Sequence, residues 1–282
     1  MRHPCLCKSL IGLSAVVMVV AFHADISAQQ CPCDIYAAGG TPCVAAHSTV
    51  RALYSSYNGP LYQVKRKSDG KTKDIGVLTP GGFADAAAQD SFLSGTTGTI
   101  SIIYDQSPKG NNLKPAPGGG AAEKPDSAAN AAALKVYVDG HPVYGIYMKS
   151  GNGYRNDSTS GIATGDQPEG EYIVASGKHV NGGCCNDYGN AETNDSDDNA
   201  GTMEAIYIGT NNWWGSGSGS GPWVMADLEN NLFSGGKTGL NSADSSVPYT
   251  YVTAMVKGKP DTFAIKAGNA DSGSLRKCPV FS

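Results

Sequence analysis

Charge is scarce in this chain: Asp, Glu, Lys and Arg make up only 16% of its 282 residues, and a net charge of −4 is spread without any block of Lys or Arg. That leaves no electrostatic footprint for nucleic acid or an anionic membrane, so a neutral polymer is the more natural partner. Long hydrophobic runs are missing as well, since nothing beyond Phe22 approaches the roughly 20 apolar residues a membrane helix needs. The Cys/His spacing of a zinc site is absent, and nothing in the sequence calls for a metal or a cofactor. Neither Ala38-Gly39-Gly40 nor the Gly118–Gly120 run is followed by Gly-Lys-Ser/Thr, which excludes a phosphate loop. His47, His141 and His179 are scattered, without a Ser or Cys nucleophile motif, and read as structural or surface residues. There is no interdomain linker and no internal repeat.

What is present points to an exported β protein. Residues 1–29 combine a basic start (Arg2, His3, Lys8), an apolar run from Leu10 to Phe22 and a small-residue end at Ile26-Ser27-Ala28, the pattern of a secretory signal peptide. Residues 30–282 are then expected as one large, extracellular, monomeric domain. Glycine (37 residues) and tyrosine (14) describe short strands joined by tight turns. Cys5 and Cys7 leave with the signal; Cys31, Cys33, Cys43, Cys184, Cys185 and Cys278 remain, and export makes disulfides possible among them.

Ala45–Tyr57 carries apolar residues at near-helical spacing, with Ser48 and Thr49 as caps, and predicts one short N-terminal helix. Thr99–Tyr104, Leu134–Val138, Val143–Met148, Glu171–Ala175, Met203–Ile208, Trp223–Glu229, Tyr249–Val256 and Phe263–Lys266 read as strands of a β-sandwich, with Asp139-Gly140 as a hairpin turn. The segments 118–130 and 190–201 read as long surface loops.

Three features bear on chemistry. If residues 223–229 form one strand, Asp227 and Glu229 share a face; that is either a glycosidase-type carboxylate pair or a solvated face beside an Asn-rich turn. Adjacent Cys184 and Cys185 form either a strained vicinal disulfide or bonds to separate partners, Cys278 among them. Trp213-Trp214, beside the Gly/Ser-rich loop 215–221, offers flat apolar faces suited to a cleft wall.

Cys33-Asp-Ile-Tyr36, Thr41-Pro-Cys-Val-Ala-Ala-His47, Arg51-Ala-Leu-Tyr-Ser55, Ile103-Tyr-Asp-Gln-Ser107, Gly153-Tyr-Arg155, Asp187-Tyr-Gly-Asn-Ala-Glu192, Met203-Glu-Ala-Ile-Tyr207 and Gly221-Pro-Trp223 with Asp227–Phe233 occur in order. In this the chain resembles the catalytic domain of family 54 α-L-arabinofuranosidases, from about Cys33 to Leu275. The resemblance implies an all-β, concanavalin-like (jelly-roll) sandwich that removes terminal arabinofuranosyl groups from arabinoxylan or arabinan with retention. It implies Glu229 as nucleophile, Asp227, Asn230 and Asn231 as binders of sugar hydroxyls, and Trp214 as pocket wall. It also implies a Cys184–Cys185 disulfide as sugar platform and a Cys33–Cys43 disulfide. Two departures stand out. No cysteine lies between Phe92 and Gly98, where the family has a disulfide, and the family's acid/base Asp, in a Gly-Gly-Asp segment, falls downstream of Ser282. A sugar-binding module and a non-functional fragment are the alternatives this raises.

Overall fold

The computed structural model describes residues 30–119, 123–194, 203–229, 231–236, 238–273 and 275–281. The signal-peptide expectation (1–29), Asn230, parts of both long loops and the side chain of Cys278 lie outside the described residues.

In chain order the elements are α1 (Pro32–Ala38), β1 (Pro60–Arg66), β2 (Thr72–Gly76), α2 (Ala86–Phe92), β3 (Gly98–Ile103), β4 (Lys114–Pro115), β5 (Leu134–Val138), β6 (His141–Gly145), β7 (Tyr154–Arg155) and β8 (Glu169–Ser176). They continue with β9 (Asp187–Gly189), β10 (Ala205–Gly209), β11 (Gly215–Ser218), β12 (Trp223–Asp227), β13 (Leu232–Phe233), β14 (Gly239–Ser245), β15 (Tyr251–Lys259), β16 (Thr262–Asn269) and β17 (Arg276–Phe281). The result is a β-sandwich with long connections, as expected.

Its site-bearing part is a pair of four-stranded sheets, ordered β13-β12-β10-β9 and β17-β16-β15-β8. Burial alternates along β15, where Val252, Ala254 and Val256 face inward, so one face of that sheet supplies core. The opposing sheet contributes Ile206, Val224 and Ala226 to the same cluster. Residues of the other parity, Tyr207, Trp223, Met225 and Leu232, form a second cluster on the outer face, with Trp214 packed against it. β12 is therefore buried on both faces along its whole length, which is why Trp-Val-Met-Ala reads as an unbroken apolar run.

The first half has its own core. The β2-β1-β3 sheet and the β5-β6 hairpin close over Leu61, Tyr62, Val64, Ile75, Ile100 and Val143. The predicted hairpin turn is present: Asp139 (φ 50°) and Gly140 (φ 77°) both take the left-handed region that a two-residue primed turn requires.

Two expectations are corrected. Residues 45–57 are not helical. Their backbone donors are taken by distant groups: Ala46 N–H by Asp105 Oδ1 (2.7 Å), Leu53 N–H by Gln106 Oε1 (2.6 Å) and Ala52 N–H by the Gly82 carbonyl (2.8 Å). Ser48 Oγ takes those of Val50 and Arg51, the local competition that makes serine a poor helix-interior residue. The helices sit elsewhere. Pro32 opens α1, with the Asp34 carboxylate accepting from Cys31 N–H, and Asp85 caps α2 through Ala88 N–H.

The Gly/Ser-rich loop at 215–221 also begins as a strand. β11 pairs in parallel with β14, and a Cβ at Gly217 would collide with the Asp244 carbonyl and the Trp223 ring. Only glycine permits that approach.

Candidate functional site

β12 ends at Asp227 and turns through Leu228–Asn231 into β13, with Asp227 paired to Leu232 and the Leu228 N–H donating to the Asn231 carbonyl at 3.2 Å. The expected strand over 223–229 is therefore two residues too long. Glu229 sits in the turn, partly buried, at φ 63°, a conformation uncommon for a residue with a Cβ and concentrated at functional sites. Asp227 and Glu229 stay neighbours at one strand end, but through a turn rather than through strand alternation.

Asp227 is buried, 6% exposed, and has the parity of Trp223 and Met225 on the outer face. Asp187, on β9 beyond the intervening β10, comes near it. The two carboxyl groups hydrogen-bond each other, and burial pushes the Asp187 carboxyl above the ordinary aspartate range, opposed by that bond and one from its own backbone N–H.

Cys184 and Cys185 are joined in a vicinal disulfide, and both are exposed. Their sulfurs and an Asp227 oxygen lie within 4.8 Å of one another. Because both sulfurs are spent in the S–S bond, no thiolate is available, and the trio is a sulfur platform beside a carboxyl rather than a metal ligand set.

The disulfide loop is stitched to the sheet by polar groups that sequence reasoning did not single out. Tyr207 Oη lies 3.3 Å from the carbonyls of both Asn181 and Gly183, and accepts from Asn211 N–H at 3.1 Å. Buried Asn211 donates to the Gly182 carbonyl (3.2 Å) and accepts from Trp213 N–H (2.9 Å). One tyrosine and one asparagine thus hold the disulfide loop and the tryptophan pair against the same strand. Trp213 is 68% exposed, while Trp214 is half-buried on the outer cluster, its ring at 67° to that of Trp213.

Of the sequence-derived candidates, the structure brings Asp227, Cys184 and Cys185 together, sets Glu229 and Asn231 in the adjoining turn, and places Trp214 on the same face. Asn230 lies outside the described residues. Cys33 and Cys43 are paired, with Cα atoms 5.6 Å apart, but in the α1 region. The spacing of Asp187-Tyr-Gly gave no hint of a partner in Asp227; only the β9-β10-β12 order supplies it.

A second cluster of carboxyl groups gathers around Asn190. Asn190 donates its side-chain N–H groups to both oxygens of Glu169 (2.7 Å) and its backbone N–H to Glu171 Oε1 (3.0 Å). Burial, then the charges of Glu169 and Glu204, push Glu171 up to about 10, and burial first also pushes Glu204 up to about 7. Neither Glu171 Oε2 nor Glu204 Oε1 has a hydrogen-bond partner among the described residues.

Comparison with known proteins gives this arrangement a context. Three solved structures of family 54 α-L-arabinofuranosidases share the fold with a TM-score of 0.86. One, 54% identical, is complexed with arabinofuranosyl-α-1,2-xylobiose; another, 53% identical, is a Glu-to-Gln variant soaked with 4-nitrophenyl α-L-arabinofuranoside. Each match covers 89% of this chain and 53% of that one. By fold, the chain is thus a β-sandwich of the kind these arabinofuranosidases have. The family model described as "Alpha-L-arabinofuranosidase B, catalytic" matches residues 32–279. A probable alpha-L-arabinofuranosidase B of Aspergillus terreus is 61% identical over 86% of this chain, and the alpha-L-arabinofuranosidase B of Emericella nidulans 57% over the same share. The chain belongs to the alpha-L-arabinofuranosidase B catalytic-domain family. It spans about half the length of the curated relatives it matches, 49% of each of these two.

Proposed function

We propose that this chain is the catalytic sandwich of a secreted, retaining α-L-arabinofuranosidase that removes terminal arabinofuranosyl groups from arabinose-substituted xylan or arabinan. Glu229 is the nucleophile that forms the glycosyl-enzyme intermediate. Asp227, Asn230 and Asn231 bind the sugar hydroxyls, Trp214 walls the pocket, and the Cys184–Cys185 disulfide gives the ring an apolar surface to rest on. The observation that carries the reading is the clustering at one strand end: a glutamate at φ 63° two residues from a buried aspartate, with a disulfide within 4.8 Å of that aspartate. The relatives' ligands, an arabinofuranosyl xylobiose and an aryl arabinofuranoside, support the substrate class. The basic-apolar-small pattern of residues 1–29 supports export.

The test is release of 4-nitrophenol from 4-nitrophenyl α-L-arabinofuranoside, a leaving group that needs little protonation. Turnover is expected for the parent chain, and a loss of roughly 10³-fold or more for Glu229→Gln. Turnover that survives the substitution would remove Glu229 from the nucleophile's role. Binding without turnover by the folded parent would favour the sugar-binding module.

A further inference from the structure

The disulfide loop and the tryptophan pair reach the sheet through the same two side chains. Asn211 is 1% exposed and bonded at both ends of its amide: Nδ2 donates to the Gly182 carbonyl at 3.2 Å, and Oδ1 accepts from Trp213 N–H at 2.9 Å. Its backbone N–H donates to Tyr207 Oη at 3.1 Å, and that hydroxyl, whose one proton the two carbonyls share, lies 3.3 Å from those of Asn181 and Gly183. The Tyr207 ring belongs to the outer cluster on which Trp214 packs, and its hydroxyl folds back over Gly209, where a Cβ would collide with it. Both side chains are buried, so they act on a sugar only through the walls they hold. The segments keep other ties as well: Thr210 N–H donates to the Asn181 carbonyl (2.9 Å), Gly183 N–H to Asn181 Oδ1 (2.7 Å) and Gly239 N–H to the Trp214 carbonyl (2.8 Å).

We propose that Asn211 and Tyr207 are positioning residues that fix the disulfide platform relative to the tryptophan wall, and so the fit of the arabinofuranosyl ring between them. The inference rests on the proposed role of those two walls in sugar binding. A buried amide bonded at both ends is stiff, because releasing either end orphans a polar group away from water. Two walls held by one such amide keep a single spacing rather than drifting independently. That spacing matters because contacts between a ring and an apolar wall weaken steeply over a gap of less than an ångström. Tyr207 sets the height of the brace: its ring is packed in the outer cluster, and its hydroxyl meets the loop directly before Cys184 and the backbone of Asn211 at once.

Two substitutions separate this role from mere packing. Asn211→Ala removes both side-chain bonds, whereas Tyr207→Phe keeps the ring in the outer cluster and removes only the hydroxyl, so it decides the matter should the first variant fail to fold. In amide hydrogen exchange without ligand, each is expected to speed exchange in segments 182–185 and 211–214 together, by about tenfold or more, while the paired amides of β15 and β16 stay protected. With 4-nitrophenyl α-L-arabinofuranoside, each is expected to raise KM about tenfold and to leave kcat within about threefold of the parent, the mark of lost uniform binding. Faster exchange in one segment alone overturns the common brace. An unchanged KM in an active variant whose two segments have both loosened overturns the link to sugar fit. A folded parent chain that neither binds nor hydrolyses the glycoside defeats the enzymatic reading and the positioning role with it. The two failures are told apart by where they occur, in the parent or only in the variants.

Discussion

The two halves of the molecule treat their acids in opposite ways. In the first half, carboxylates are partnered and held ionised. Asp69 is lowered to about 2 by its bond to Arg66, and burial at Asp90 is outweighed by bonds from Lys135 and Tyr144. At Asp34 burial is likewise outweighed, by bonds from Ser55 and Cys31. In the second half, Glu169, Glu171, Asp187 and Glu204 are all raised, burial being the largest cause for each. The ion pairs formed among the described residues lie at or before Asp157. One half uses charge to fix loops; the other buries its carboxyls and shifts their pKa values upward, the condition under which acids can be tuned for chemistry.

The largest effect on stability should come from breaking the first half at Asp105. Its buried carboxylate accepts from Ala46 N–H (2.7 Å), Ser107 N–H (2.8 Å), Ser107 Oγ (2.6 Å) and Asn111 N–H (2.8 Å), joining segments far apart in sequence. Asp105→Ala orphans three backbone donors at once, and a loss of about 3–5 kcal/mol is expected in urea unfolding. The damage should reach the second half, because the Asn111 carbonyl bonds His47 Nε2 (2.7 Å), whose Nδ1 meets Tyr188 Oη (3.0 Å) next to Asp187. A cost below about 1 kcal/mol would mean that water replaces the carboxylate and that the first half is not organised by its charges.

How much of this was legible beforehand depends on the range of the interactions. Strands such as Leu134–Val138 and Tyr251–Lys259 announce themselves by β-branched content, alternation and flanking turns, all local properties. β11 does not, because Gly215–Ser218 is a strand only by virtue of Trp223 and β14 packing over it. The helical spacing in Ala45–Tyr57 was real, but Asp105 and Gln106 claimed its backbone donors from some fifty residues away. At the site, Asp227, Glu229, Trp214 and the cysteine pair stood out as motifs. Asp187 and Tyr207 lay inside segments that carry the resemblance and Asn211 in none of them, but all three drew no role, since each matters through a partner on another strand or loop.

The second-half acids give a medium effect with a definite sign. Glu204 and Glu171 have raised folded-state values, about 7 and about 10, against an ordinary glutamate value of about 4.5. Between these limits the folded chain binds more protons than the unfolded one, so stability is full below about pH 4.5 and falls as pH rises through 7 and beyond. The thermal midpoint should therefore drop by several degrees from pH 5 to pH 8. Glu204→Gln, which cannot ionise, should flatten the part of that slope below pH 7. A midpoint that rises over this interval would break the comparison between the halves.

The smallest effect is expected at the most conspicuous ion pair. Arg66 contacts Asp69 at 2.7 Å with both side chains partly solvated, and Lys71 approaches the same carboxylate at 3.8 Å. Proximity alone would nominate this trio as a stabilising feature, but water screens the charges and ordering two long side chains costs entropy. Arg66 also stacks over Phe92, its guanidinium carbon 4.5 Å from the ring centroid, and donates to the Phe92 carbonyl at 3.1 Å. Those contacts survive removal of the charge on Asp69. Asp69→Asn should accordingly leave the urea midpoint at pH 7 within experimental error, whereas Arg66→Ala, which strips the stacking as well, should shift it measurably. Equal shifts for the two variants would show that charge pairing, not packing, fixes this corner of the first half.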